Sequence, residues 1–274
     1  MRQQSLPYVQ GPAHQNAPSA PARAGRAFSA GTGLALSLGL ALLAWKALIL
    51  LRGYPPFILP APELVLQRLI DELAGGTLPY HAGITIIESL AGFGLALAAS
   101  MALGYLLAHA PRLERVLAPQ LAATQAVPVV AIAPLIILWV GADIRSKILV
   151  AALVTFFPIL SSTVVALRGV PRELMEMAKI SGANRRQVLW HVELPLALPG
   201  IFGGVKAGLA LATTGAVVGE FVGARDGLGA LINISRGLFD TPLMFAALIT
   251  LAVLTLTFYL IAVLLERALV RWEQ

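Results

Sequence analysis

The side chains best suited to proton transfer or metal binding near neutral pH are the four histidines, and they are scattered at His14, His81, His109 and His191. No H-E-x-x-H pair sets two of them on one helical face for zinc, and no G-x-S-x-G elbow presents a serine nucleophile. His191 and Glu193 could offer two ligands on one short helix, fewer than a zinc site needs. With no cysteine, thiolate chemistry, disulfides and Cys-ligated metals are excluded. None of the four lysines, Lys46, Lys147, Lys179 and Lys206, follows a glycine, so there is no G-x-x-x-x-G-K-[ST] loop to cradle nucleotide phosphates. The sequence therefore gives no catalytic residue and no metal site. Four charges instead stand inside long apolar runs: Lys46, Glu88, Lys206 and Glu220. A charge at mid-bilayer costs several kcal/mol, so each must be paired, displaced toward a surface or functional.

The elements that hold these groups follow from composition. The chain has 274 residues, of which 58% are hydrophobic and 12% charged, with mean hydropathy +0.80. Soluble domains carry about 25% charged residues, so lipid must be the solvent for much of this surface. Hydrocarbon about 30 Å thick needs roughly 20 apolar residues per helix. Six runs qualify: Ser29 to Leu50, Ile84 to Leu107, Pro119 to Val140, Ile148 to Leu167, Pro199 to Val222 and Leu243 to Leu265. The sequence thus predicts an all-α integral membrane protein. Residues 1–27, rich in Pro, Ala and Gln, read as a disordered tail, and the first run reads as a retained helix rather than a signal peptide. Residues 28–81 then hold that helix and an external one, and residues 82–274 form the main body. The external helix, Pro62 to Leu73, sets Leu66, Leu69, Ile70 and Leu73 against Glu63, Gln67, Asp71 and Glu72, and is expected to lie on the membrane surface.

Lys and Arg in the connections orient the spans. With the N-terminus inside, twelve fall on the cytoplasmic side and six on the other, which predicts both termini in the cytoplasm. The same bias accounts for the net charge of +6 without nucleic acid, since no aromatic and basic platform accompanies it.

The largest inner connection, residues 168–198, carries two short helix patterns. Pro171 suits a first helical position, Leu174, Met175 and Ala178 share a face, and Gly182 is placed for a left-handed stop. Asn184 and Gln187 are spaced as a capping box for a second helix whose apolar face is Val188, Leu189 and Val192, with Pro195 ending it. An exposed helix pair with apolar stripes needs a soluble partner.

The residues Glu176, Met177 and Ala178, then Gly182, then Val192, Glu193, Leu194 and Pro195 resemble the EAA loop of ABC importer permeases (E-A-A, three residues, G, nine residues, I-x-L-P). Met177 and Val192 are mild departures. Gln125-Ala126-Val127-Pro128, Leu138-Trp139-Val140-Gly141 and Gly219-Glu220-Phe221-Val222-Gly223 with Gly227-Leu228-Gly229 resemble the branch serving nitrate, sulfonates, taurine and pyrimidine precursors of thiamine. The likeness spans about Thr85 to Glu266. It implies the type I importer permease fold in the cell inner membrane and a small solute delivered by an external binding protein. It also implies a second permease copy and a separate ATPase dimer carrying the ATP and Mg, so no cofactor is expected on this chain. The coupling loop would be Glu176, Met177, Ala178, Gly182, Val192, Leu194 and Pro195. A stand-alone carrier or channel and a membrane enzyme are the weaker alternatives, for want of an internal repeat and of a catalytic constellation.

Within the fifth run, Gly200, Gly204, Gly208, Ala212 and Ala216 recur every four residues beside a second row, Gly215, Gly219 and Gly223. Such rows let helices approach closely, either inside one chain or across a two-fold interface. Lys206 is expected to snorkel to the inner surface. Gln125, Thr214 and Glu220 are candidates for the transport pathway, against the plainer expectation that hydroxyls bond back to the preceding turn.

Overall fold

The computed structural model describes residues 24–270, and the regular structure of those residues is helical throughout. The chain divides into two units, residues 1–48 and 49–274. The described part of the first is α1 (Ala24–Arg52), whose 29 residues give roughly 44 Å, enough to cross hydrocarbon. It takes in the last residues of the segment expected to be disordered; residues 1–23 lie outside the described residues.

The second unit runs α2 (Pro62–Ala74), α3 (Thr77–His109), α4 (Pro111–Ala123), α5 (Val129–Val140), α6 (Ile144–Arg168), α7 (Arg172–Ile180), α8 (Arg185–Val188), α9 (Leu194–Phe221), α10 (Leu228–Gly237) and α11 (Thr241–Leu269). Five of the six expected spans are long, apolar helices at α1, α3, α6, α9 and α11. The third is not one helix. It breaks into α4 and α5, which meet at 96°, because Pro128 has no N–H to give and forces Val127 out of the helical region, to φ −92° and ψ 119°. At 12 residues, α5 is only about 18 Å long. Pro134 and Pro158, by contrast, lie within continuous helices.

The core is α6 held between α3 and α9. The rows of small residues on α9 meet α6 in an antiparallel register that holds along its length: Gly200 lies against Ala166, Gly204 against Ser162, Gly208 against Ile159, Gly215 against Ala151 and Gly219 against Lys147. On the other side Gly92 and Gly104 of α3 meet Ala151 and Thr163, so α3 runs parallel to α6. A Cβ on Gly215 would sit 2.7 Å from the Ala151 Cα, where only backbone could yield. These rows therefore pack helices inside one chain. Thr155, Thr163 and Thr213 are buried there and donate to Ala151, Ile159 and Ala210 carbonyls one turn back, as expected of membrane hydroxyls.

The helix α2 is tied to the bundle along one edge: Val65 is buried and Leu69 packs on the cluster that includes residues of α3, α10 and α11, while Leu66, Ile70 and Leu73 face out. Arg68 holds it there, binding Asp240 at 2.8 Å and Glu72 at 3.3 Å. No span is expected between Val222 and Leu243, yet α10 stands there with Leu228, Ala230, Leu231, Ile232 and Ser235 buried. Its Leu228 and Leu231 pack with Leu78, Ala246 and Ala247.

Overpacking a tight helix contact costs about 1–3 kcal/mol or more. Gly215→Leu should therefore lower the thermal midpoint of the purified protein in detergent by several degrees, whereas Gly203→Leu, where a Cβ meets nothing within 4 Å, should leave it unchanged.

Candidate functional site

Two groups of polar residues stand at opposite ends of the bundle. At the end where α3 and α6 finish, the connection after α6 folds as expected up to its last residue. Pro171 sits just outside α7 as its N-cap, one position before the helix. Gly182 stops α7 at φ +86°, with Ala183 N–H donating to the Ala178 carbonyl at 3.0 Å. Asn184 and Gln187 form both arms of the capping box, each 2.9 Å.

Pro195 does not end the second helix. The chain passes from α8 through a π-turn, Leu189–Glu193, straight into α9, giving one rod from Arg185 to Phe221. In an α-helix Pro195 would leave the His191 carbonyl without a donor and collide with it. The wider π-turn, in which Leu194 N–H reaches back to Leu189, relieves that crowding.

Glu176 and Met177 are exposed, and Met175 anchors α7 on Leu167 and Val170. Ala178, Val192 and Pro195 line a groove of about 450 Å³ with Leu174 and Leu196. Leu194 turns inward to the cluster around Ala197 and Ile201. Ile180 is 87% exposed and Met177 64%, with Trp190 also outward, so this end carries an apolar surface left uncovered by the described residues.

His191 and Glu193 do not converge as ligands. His191 approaches the Gln187 carbonyl at 3.1 Å, while Glu193 is buried and pairs with His109 at 3.0 Å. Among the described residues no group of three or more His, Asp or Glu could hold a metal. The His109–Glu193 contact pins the π-turn to the end of α3, and Arg168 adds a second tie there through Glu114 at 2.6 Å and the Leu107 carbonyl at 3.1 Å.

Within the bundle, Lys206 meets both oxygens of Glu266 at 2.9 and 2.8 Å, joining α9 to α11 near the end of the latter. Gln125 is exposed in the 3-10 turn Thr124–Ala126 at the break before α5, and Thr214 is exposed on α9. Glu220 is buried, 1% exposed, and no hydrogen bond among the described residues links these three.

Glu220 belongs to a cluster at the opposite end of the bundle that spacing did not reveal. Its Oε1 accepts from Thr85 at 2.7 Å and its Oε2 from the Gly229 N–H. Thr85 in turn accepts from the Leu228 N–H at 2.8 Å, and His81 Nδ1 accepts from the Gly227 N–H at 3.0 Å. Glu88 is buried as well, 3% exposed. Gly227 has φ +106°, and a Cβ on it would collide with the Glu220 carboxyl. The sequence signal was the charge of Glu220 inside an apolar run together with Gly227 and Gly229; nothing in its spacing shows that it meets Thr85 of α3.

Comparison with known proteins agrees with this architecture. The chain is 64% identical over 241 residues, 88% of its length and 90% of the relative's, to the riboflavin transport system permease protein RibX of Chloroflexus aurantiacus. It is 34% identical to the formylaminopyrimidine transport permease protein ThiX of Halalkalibacterium halodurans, covering 80% of this chain and 87% of that one. It is 35% identical to the putative aliphatic sulfonates transport permease protein SsuC of Bacillus subtilis, covering 79% and 78%. An inward-facing structure of the MetNI methionine ABC transporter superposes with TM-score 0.55 at 20% identity, over 77% of this chain and 98% of that one, which shows a shared fold. Residues 94–271 match the model of the binding-protein-dependent transport system inner membrane component. The helical body, with five membrane-length helices among the described residues or six if the bent α4–α5 pair counts as one span, and these matches together make the chain a multi-pass transport permease subunit and not an enzyme, a member of the binding-protein-dependent transport system inner membrane component family.

Proposed function

We propose that this chain is the solute-conducting subunit of an importer in which α7 and the turn at Gly182 dock on a separate ATPase. The observation that carries this reading is the exposed apolar surface of Met177, Ile180 and Trp190 on a loop whose spacing is that of the EAA pattern. Surface like this on a helix with no partner inside the chain marks an interaction site. On this reading the loop faces the cytoplasm, both termini lie on that side, as the excess of Lys and Arg in those connections supports, and α10 faces the external binding protein. ATP and Mg belong to the ATPase. Two copies of the permease would face each other across the pathway, to which Gln125, at the break before α5, and Thr214 contribute polar groups. Irregular backbone at membrane depth is tolerated where it is buried in protein or lines a wet cavity, which favours the break as part of that pathway. The solute is riboflavin or a close analogue, supported by 64% identity to a permease named for riboflavin against 34 to 35% for those named for a pyrimidine or sulfonates.

Met177→Asp places a charge on a largely exposed side chain, so the protein should insert at wild-type levels yet lose co-purification of its ATPase by about tenfold or more, as removal of an interface hot spot does. Normal co-purification would remove α7 from the docking surface. Gly182→Val should impair uptake while insertion persists, because a β-branched residue at φ +86° costs about 1–2 kcal/mol; unchanged uptake would show that the turn is not needed for coupling. Co-expression with the ATPase and binding protein in a riboflavin auxotroph should restore growth on low external riboflavin. Failure there, with docking intact, would overturn the solute and leave the permease reading standing.

A further inference from the structure

A cavity of about 520 Å³ lies at the loop end of the bundle, where α3 and α6 finish, between the first turn of α4 and α7. That volume is within the range of about 300–1,000 Å³ of sites that hold small ligands. Two of the acids on its wall are already partnered: Glu114 binds Arg168 at 2.6 Å and Glu193 meets His109 at 3.0 Å. Arg115, Arg172, Lys179 and Glu176 also line it, and among the described residues none of these four enters an ion pair. Three cations therefore stand against one carboxylate. The excess is positive even with His109 neutral, since four Arg and Lys side chains then face three Glu. The wall suits an anion.

The faces of α7 divide accordingly. Arg172, Met175, Glu176 and Lys179, at helical spacings of three and four, turn to this cavity, whereas Leu174, Met177 and Ala178 line the groove on the other side. The cations are thus on a different face from Met177. Met175 packs α7 on Leu167 and Val170, and the charged side chains of the helix add no ion pair to that contact among the described residues. An anion reaching both Arg115 of α4 and the basic face of α7 would supply one.

Which anion follows from what lies beside the charges. Ala108, Leu167, Val170 and Met175 give the cavity an apolar side, which covers the glycerol and first acyl carbons of a lipid and offers a soluble phosphate nothing. The ends of α3 and α6 stand at headgroup depth, where basic pockets between membrane helices bind anionic headgroups. Arginine presents phosphate with paired N–H donors.

We propose that this cavity binds the phosphate of an anionic phospholipid, clamped by Arg115 of α4 and by Arg172 and Lys179 of α7, so that lipid ties the loop to the bundle. That the lipid belongs to the inner leaflet, and that the loop it steadies docks an ATPase, rests on the function proposed above; the binding site does not.

Native mass spectrometry of the full chain released from nanodiscs of mixed phosphatidylglycerol and phosphatidylcholine tests the site. The wild type should retain phosphatidylglycerol, and Arg115→Gln with Lys179→Gln should retain about tenfold less, since each basic side chain near a lipid surface contributes about 1 kcal/mol. Arg185→Gln with Arg186→Gln removes the same charge from the same end outside the cavity and should match wild type. Equal losses in the two variants would reduce the effect to general attraction by basic surface and overturn the site. Millimolar glycerol phosphate should not displace the lipid; displacement would assign the cavity to a free phosphate compound and overturn the lipid. Hydrogen exchange of the wild type needs no variant to fold. Residues 172–180 should exchange severalfold more slowly in phosphatidylglycerol than in phosphatidylcholine nanodiscs, with residues 228–237 unchanged; equal rates at 172–180 refute the tie. Both leaflets of a nanodisc carry the lipid and neither measurement involves solute or ATPase, so failure here leaves the transport reading standing.

Discussion

Three helix backbones in close approach are the constraint on which this molecule rests. In lipid there is no hydrophobic drive between helices, so association depends on how closely they can pack. The glycines of α9 and α3 bring their backbones onto α6 from both sides, and α6 is accordingly where buried Val150, Ala151, Thr155, Ile159 and Leu160 concentrate. Everything else hangs on that core. The cluster at one end and the loop at the other are each made from the termini of these same three helices, so the register set by the glycines also sets which polar groups can meet.

The legible and illegible parts of the structure divide by range of interaction. Spans were read well because hydropathy is a property of each segment alone, and Gly182, Asn184 and Gln187 were read well because caps are made within a few residues. Pro128 and Pro195 show the limit. The same residue type produces a 96° turn at one place and at the other, where the spacing predicts a helix end, is absorbed in a continuous rod. The difference is the π-turn before Pro195, a choice that local propensity does not contain. Pairings between distant segments were missed for a related reason. Lys206 with Glu266, His109 with Glu193 and Thr85 with Glu220 join residues 60 or more apart in the chain, and a sequence shows only that each charge needs a partner.

The two ends differ in finish, and the difference follows from what each must do. Around Glu220 polar atoms are buried, and donors of α3 and α10 converge on an acceptor of α9. Around α7 the turn into α8 is closed by the Gly182 stop and the Asn184–Gln187 capping box, but the apolar side chains are left facing outward. A surface completed only by another protein tolerates change in its own outward residues and is sensitive to change in the turns that aim it. The cavity of about 520 Å³ between the ends of α3 and α6 and α7, lined by Arg115, Arg168, Glu176 and Lys179 among others, adds room beside that surface.

Because α8, the π-turn and α9 form one unbroken rod of 37 residues, roughly 55 Å from end to end, the loop and Glu220 are mechanically one part. A tilt of only a few degrees, pivoting at one end, carries the other end through several ångströms. Displacement need not be relayed from side chain to side chain. The same stiffness makes the π-turn the natural place for torsion, since its looser bonding is the weakest link along the shaft. The rod thus works as a lever with its compliance built in at the handle.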